Sequence, residues 1–585
     1  MRAKLTLAAG ALALAAAAVA QERPESLLPP GFGQAPAPAP TPTREAAPGG
    51  PALTPGPQAT GMVQPLPTAV LPTPTPSPTP SPTPSPVYEM PPFARRSLAS
   101  VGPVGGAEAA MPANAFGRSD GRYLEVLMRR LSAPLPSRWM SIALRRLLVS
   151  QLDTPPNVNG ADFAAERAWL LLRMGEAVGA RAVVQSVDID RVTPKLSQVW
   201  MQAMLANADP AGLCTLSASW KVRASERGWI AAQAMCAGLT GSKAQPLVKD
   251  LRRRRISGID LQLAQKVMGA GVDSRQAITI EWDPVVQLTA WRYGLATATG
   301  VPVPEALYAT VGPQVSGWRA QAPAIPIGDR AAPAERAATL GVLSNAALVD
   351  LYAAGAELPD PTAAVRGVAD GLRDAYLGQD RATRLDAMAG LWNAAGAPGG
   401  RYGRLILTAR AAGRLAVFDA GERTQGLVAS MLSAGMDRTA QRWRSQVPAG
   451  TDAWAMLILA DPDGGAMSYS DVGGFAPSGA NAARKKRLFF AAMAGLGRMS
   501  AGDIQSGAEA LDVKIGAGNS WTRALDRAAA AGEPGTVLLL AAVGMQANDW
   551  GGVPPVALYR ITAALRAVGL TGMARMIAVE ALTRL

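Results

Sequence analysis

Two cysteines, no histidine and a scatter of carboxylates bound the chemistry open to this 585-residue chain. Without histidine there is no Ser-His-Asp or Cys-His nucleophile, no histidine-held zinc or haem, and no imidazole proton shuttle near neutral pH. Cys214 and Cys236 lie at equal distance on either side of position 225, where Ser225 is placed to cap a second helix. Residues equidistant from the turn of an antiparallel hairpin sit side by side, so the pair is expected to form a disulfide. As nucleophiles both lack a base partner.

The densest basic run is Arg252-Arg253-Arg254-Arg255, preceded by Lys249, and Arg484-Lys485-Lys486-Arg487 is second. Consecutive arginines on a helix point around its whole circumference, so they cannot all face one ligand. An anionic polysaccharide would suit them; the plainer reading is a solvated helix end. Asp461-Pro462-Asp463-Gly464-Gly465 opens like a calcium loop, but its sixth and twelfth positions are Ala466 and Val472. The scattered acids leave one catalytic scheme open, a carboxylate pair converging in space on a polysaccharide. The 13 tryptophans would suit sugar stacking, yet Trp169 and Trp200 fall at helix-core spacing and read as packing residues. No cofactor, metal or nucleic-acid motif accompanies these groups, and no G-x-S-x-G, P-loop or dinucleotide fingerprint is found.

The elements that must position such groups are helical. The chain is 49% hydrophobic with mean hydropathy +0.10, but only 5% aromatic, so Ala, Leu, Val and Met must supply the core. Alanine has the best helix propensity and lets helices approach closely, and strand patterns are scarce. The fold class is therefore all-α. Apolar residues recur every three or four positions over Arg122–Leu131 and Arg138–Gln151. Thr193-Pro194, Asp209-Pro210, Asp283-Pro284 and Asp360-Pro361 each pair a capping side chain with a proline at the first helical position, predicting four helix starts.

Residues 1–20 read as a cleaved export signal. Arg2 and Lys4 precede the apolar run Leu5–Ala17, and Ala18-Val19-Ala20 offers a small-x-small site with cleavage between Ala20 and Gln21. The apolar run is short for a membrane span, and no later stretch suggests an integral span in the mature chain. Export to the periplasm, or secretion, follows as an expectation. Residues 21–34 hold Leu27-Leu28-Pro29-Pro30-Gly31-Phe32-Gly33, an apolar cluster suited to docking on a partner. Residues 35–86 follow as a Pro/Thr/Ser-rich linker, with 21 of the chain's 48 prolines between Pro24 and Pro86. Such a segment reads as a disordered, extended spacer reaching about 160 Å if fully stretched. Residues 87–114 form a transition with weak helix potential around Phe93–Ser100, and 115–585 a helical domain. Six prolines within 301–333 mark a seam between two lobes or an irregular connection inside one body.

One weak pattern recurs: an apolar residue, glycine four later, alanine five after that. It is seen as Leu171/Gly175/Ala180, Met431/Gly435/Ala440 and Leu565/Gly569/Ala574. This placement resembles degenerate tetratricopeptide-like repeats, without their Trp-Leu-Gly-Tyr run or a constant repeat length. The resemblance implies an α-solenoid of antiparallel helical hairpins with a partner-binding surface. Val543-Gly544-Met545-Gln546 is faintly similar to a substrate-groove motif of lytic transglycosylases, but the Glu-Ser pair those enzymes need is absent from the helical region. The leading expectation is a non-enzymatic exported scaffold that binds envelope proteins. The alternative is a polysaccharide-binding or polysaccharide-active (α/α) domain. A groove with converging carboxylates and exposed tryptophans would favour the alternative.

Overall fold

In a computed structural model, the chain is described over residues 91–106, 110–219, 226–271, 277–395 and 398–585. The export signal with its Ala20–Gln21 site, the Leu27–Gly33 cluster, the linker and Ser225 lie outside the described residues. Within them the protein is all-α: 27 α-helices, several short 3-10 turns and one two-stranded antiparallel sheet. The sheet pairs β1 (Ser100–Val101) with β2 (Leu152–Asp153), Ser100 opposite Asp153. The helix potential near Phe93–Ser100 is thus realised as a 3-10 turn, Pro92–Ala94, and a strand. Backbone pairing with β2 satisfies Ser100 and Val101 where an isolated short helix would leave its end groups bare.

The first ten helices position the site. They are α1 (Gly121–Arg130), α2 (Arg138–Val149), α3 (Gly160–Met174), α4 (Ala177–Gln185), α5 (Pro194–Ala206), α6 (Cys214–Ser219), α7 (Arg227–Leu239), α8 (Ala244–Arg253), α9 (Gly258–Met268) and α10 (Ala290–Ala298). Thr193 caps α5 as expected, its hydroxyl accepting from Leu196 N with Pro194 at the first position. Asp209-Pro210 opens a 3-10 turn that runs into α6. The other two starts are displaced. Asp283-Pro284 closes a turn in which Val285 N donates to Trp282 O at 2.8 Å, and α10 begins only after Thr289. At Asp360-Pro361 the capping oxygen is that of Thr362, and the helix is Ala363–Leu377. A competing hydroxyl nearer the apolar run decides each case.

All three glycine-alanine units are helix–turn–helix corners. Gly175, Gly435 and Gly569 have φ of 96°, 76° and 81°, each between two helices, and Ala180, Ala440 and Ala574 in the second helix of each pair are fully buried. Glycine is needed at a left-handed corner because a side chain there collides with the following carbonyl. Segment 301–333 carries short helices Glu305–Tyr308 and Val315–Gln321, then Ile327–Thr339 with Pro333 inside its first two turns.

Contacts also join parts of the chain far apart in sequence. α2 packs against α3, α4 and the C-terminal helices Pro534–Val543 and Thr571–Thr583. At its N-terminus, buried Glu580 accepts from Ser137 Oγ (2.6 Å), Arg138 N (2.8 Å) and Trp139 N (3.2 Å). A second such link joins Glu533 to Ser119 Oγ (2.6 Å) and Arg118 N (3.0 Å). In a stack held only by neighbouring repeats these links would be missing. Residues 96–585 accordingly belong to one compact unit.

Five arginines are part of that interior. Arg138, Arg145, Arg167, Arg173 and Arg498 are buried and donate chiefly to backbone carbonyls. Arg145 also pairs with buried Glu176 at 3.0 Å. Arg167 alone ties Leu148 O, Ser150 O and Val101 O together, across the end of α2 and the start of the sheet. Helix C-termini expose carbonyls that lack intrahelical donors, and a five-donor guanidinium satisfies several at once. Part of the basic excess is therefore internal stapling.

Candidate functional site

The most developed concavity runs over α3, α5, α7, α9 and α10. It consists of two cavities of about 640 and 460 Å3 that share Met201, Gln202 and Gly228 as a common waist. Gly228 permits the approach, because a Cβ there would lie 2.8 Å from the Met201 sulfur. The larger cavity is walled by Trp169 of α3 and by Lys195, Gln198 and Val199 of α5, with Glu226 and Trp229 at the start of α7. The smaller is walled by Arg227, Arg255, Ser257, Asp260, Thr289 and Trp291.

Charge in the larger cavity is organised as a network. Glu166 accepts from Lys195 at 2.8 Å and from Arg129, whose Nε is at 3.1 Å, while Lys195 also reaches Glu125 at 2.9 Å. The hydrogen bond that Arg129 donates to Glu166 raises the guanidinium above its ordinary pKa. Only 4% of the Glu166 side chain is exposed, so the two cations hold it in place. In the smaller cavity Arg292 grips Asp260 with two parallel bonds, 2.9 and 3.1 Å. The Trp291 indole donates to Asp260 O at 3.3 Å, which fixes the ring. Two of the three cavity carboxylates are thus engaged by cations, and the third, Glu226, precedes α7. An acid–base pair needs two carboxyl groups free to exchange protons across a substrate. Glu166 and Asp260 are held instead as charge-balanced hydrogen-bonding groups.

The disulfide borders this site. Cys214 and Cys236 are bonded, with Cα atoms 5.4 Å apart, joining α6 to α7. α7 contributes Arg227, Gly228 and Ala231 to the groove, so the crosslink braces one wall. Closing a loop of 22 residues stabilises by about 3 kcal/mol on the chain-entropy account.

The basic run is split by a backbone reversal. Lys249, Arg252 and Arg253 project from α8 into solvent, and Arg254 pairs with Asp250 at 2.9 Å. Arg255 takes φ +60° and lines the smaller cavity, apart from the others. Ile256 N donates to Leu251 O at 3.0 Å, closing the helix end around that left-handed residue. The second run is structural in part: Lys485 is buried on Asp452 at 2.9 Å, and Arg484 donates to Val553 O at 2.6 Å.

Other sequence candidates resolve into packing. Asp461 pairs with Arg444 at 3.2 Å, and among the described residues no group of three or more His, Cys, Asp or Glu is placed to hold a metal. Gln546 of the transglycosylase-like motif accepts from Ser132 N at 2.7 Å, and Gly544 abuts Trp521. Trp200 is core, as its spacing implies. Trp169 also packs against the core, as its spacing implies, but it is only part-buried and lines the groove as well. The groove's other members, Gln202, Arg227, Asp260 and Trp291, come from separate helices and carry no local motif. No family model, no characterised protein and no solved structure matches this chain.

Proposed function

We propose that the chain is a non-enzymatic, exported scaffold or adaptor of the cell envelope. Its helical body holds a ligand or partner in the α3–α10 groove, and the Pro-rich spacer lets the Leu27–Gly33 cluster engage a second body. The observation that carries this reading is the pairing of two of the groove's three carboxylates with cations. Glu166 and Asp260 are committed to Arg129, Lys195 and Arg292. Such paired groups offer a bound molecule a fixed hydrogen-bonding surface. The disulfide suits an oxidising compartment. No helix among the described residues is long and apolar enough to cross a membrane.

Cross-linking and affinity recovery from native envelopes test it, comparing the chain from Gln21 with one starting at Val87. The expected result is protein partners retained by both forms, with a subset lost on truncation. Recovery of no protein by either form would overturn the scaffold reading.

A further inference from the structure

The scaffold reading leaves open what the groove itself accepts. Two part-buried tryptophans line it, Trp169 in the larger cavity and Trp291 in the smaller. A flat indole face complements the axial C–H face of a pyranose ring, and the hydrogen bond to Asp260 O holds the Trp291 ring in one orientation. Between them, at the shared waist, the Gln202 side-chain oxygen is buried with no hydrogen-bond donor. A buried acceptor left unpaired is unfavourable, and a rotation of the part-buried Gln202 amide toward the groove would let a hydroxyl donor satisfy it. Arg227 and Arg255 are exposed at the smaller cavity and take part in none of the ion pairs among the described residues, in contrast to Arg129, Lys195 and Arg292. Free guanidiniums beside a stacking ring select a planar anion, and carboxylate matches their geometry.

We propose that the groove binds a carboxylate-bearing glycan strand, with sugar faces on Trp169 and Trp291, a hydroxyl donated to Gln202, and a uronate carboxylate at Arg227 and Arg255. The ligand spans both cavities, so a tetrasaccharide outperforms a disaccharide. This rests on the binding-protein reading of the groove but is separable from the identity of any protein partner.

The test is titration calorimetry with the full chain from Gln21, using tetragalacturonate, its methyl ester, cellotetraose and tetraglutamate as probes. Tetragalacturonate is expected to bind, with its affinity falling as salt rises and about tenfold weaker binding after Arg227→Ala or Arg255→Ala. Trp291→Phe is expected to weaken the uronate and methyl ester alike, since it alters the stacking face and not the charge. Circular dichroism checks that each variant is folded. Equal binding of the methyl ester would overturn the carboxylate assignment. Tetraglutamate binding as tightly as tetragalacturonate would overturn the glycan assignment in favour of an acidic peptide. No binding of any probe would overturn the inference, whereas the scaffold reading would fall only with the envelope cross-linking.

Discussion

Replacing Glu580 with alanine tests how the two ends of the helical body are held together. The carboxylate is fully buried and receives four hydrogen bonds, from Ser137 Oγ, Arg138 N, Trp139 N and Arg584. Arg138 and Trp139 open α2, so their amides have no intrahelical acceptor. A carboxylate there also meets the positive end of the helix dipole. Removing it strands two backbone donors at about 1–3 kcal/mol each, less whatever water recovers in the vacated space. It also leaves Arg584 without its carboxylate partner. The expected loss is about 3–5 kcal/mol, the range for breaking a buried charged pair. Spread over a unit of about 490 residues, with an unfolding entropy near 1 kcal/mol/K, this lowers Tm by only about 3–5 °C. Amide exchange is the sharper assay: the Arg138 and Trp139 amides should exchange much faster, and α2 and Thr571–Thr583 should lose protection together. Glu580→Gln keeps one acceptor oxygen and should fall between wild type and alanine. A Tm within 1 °C of wild type, with unchanged exchange in both helices, would refute the argument that this carboxylate latches the C-terminal helix onto α2.

The remaining predictions are briefer. Cys214→Ala/Cys236→Ala should cost about 3 kcal/mol, read locally as faster amide exchange in α6 and α7 before any global change. Gly435→Ala should destabilise by about 1–3 kcal/mol in denaturant melts, because a Cβ there would lie 2.7 Å from the Trp139 ring at φ +76°. Arg255→Gly should leave stability unchanged or raise it by up to about 1 kcal/mol, since glycine accepts φ +60° without strain. Asp120, Asp380 and Asp503 have pKa values lowered below 3.8, chiefly by the Asn157 side chain, the Thr383 amide and the Ser500 hydroxyl respectively. A depressed acid pKa contributes stability that is present above the unfolded value and lost as pH falls through the folded one. The triple Asp→Asn variant should therefore show a shallower loss of stability below about pH 4 in acid titrations followed by circular dichroism.

The helix class, the caps at α5, the glycine corners and the cysteine pair were all legible in the sequence. Each depends on residues within one or two turns, or on the symmetry of one hairpin, and local sterics act before tertiary packing. The displaced starts near Asp283 and Asp360 show the limit of that reasoning, since Thr289 and Thr362 offered equally good oxygens closer to the apolar run. The first basic run is the solvated helix end its plainer reading gave, but charge direction elsewhere was not legible. Composition counts charge without direction, and only packing turns Lys485 and Arg167 inward while one left-handed residue sends Arg255 to the groove. The groove draws Trp169, Gln202, Arg227, Asp260 and Trp291 from five helices. No spacing along the chain encodes that meeting. Trp169 and Trp200 have the same periodic signature, and the packing of α5 and α7 leaves one of them part-exposed and buries the other. The sequence by itself therefore determined an all-helical, alanine-packed chain with a braced hairpin and little conventional catalytic equipment. Tertiary structure alone decided that Glu580 and Glu533 join the C-terminal helices to the N-terminal ones, and which polar groups face a common groove. Those links span more than 400 residues, and their partners are chosen by shape and unsatisfied hydrogen bonds, which no local pattern records.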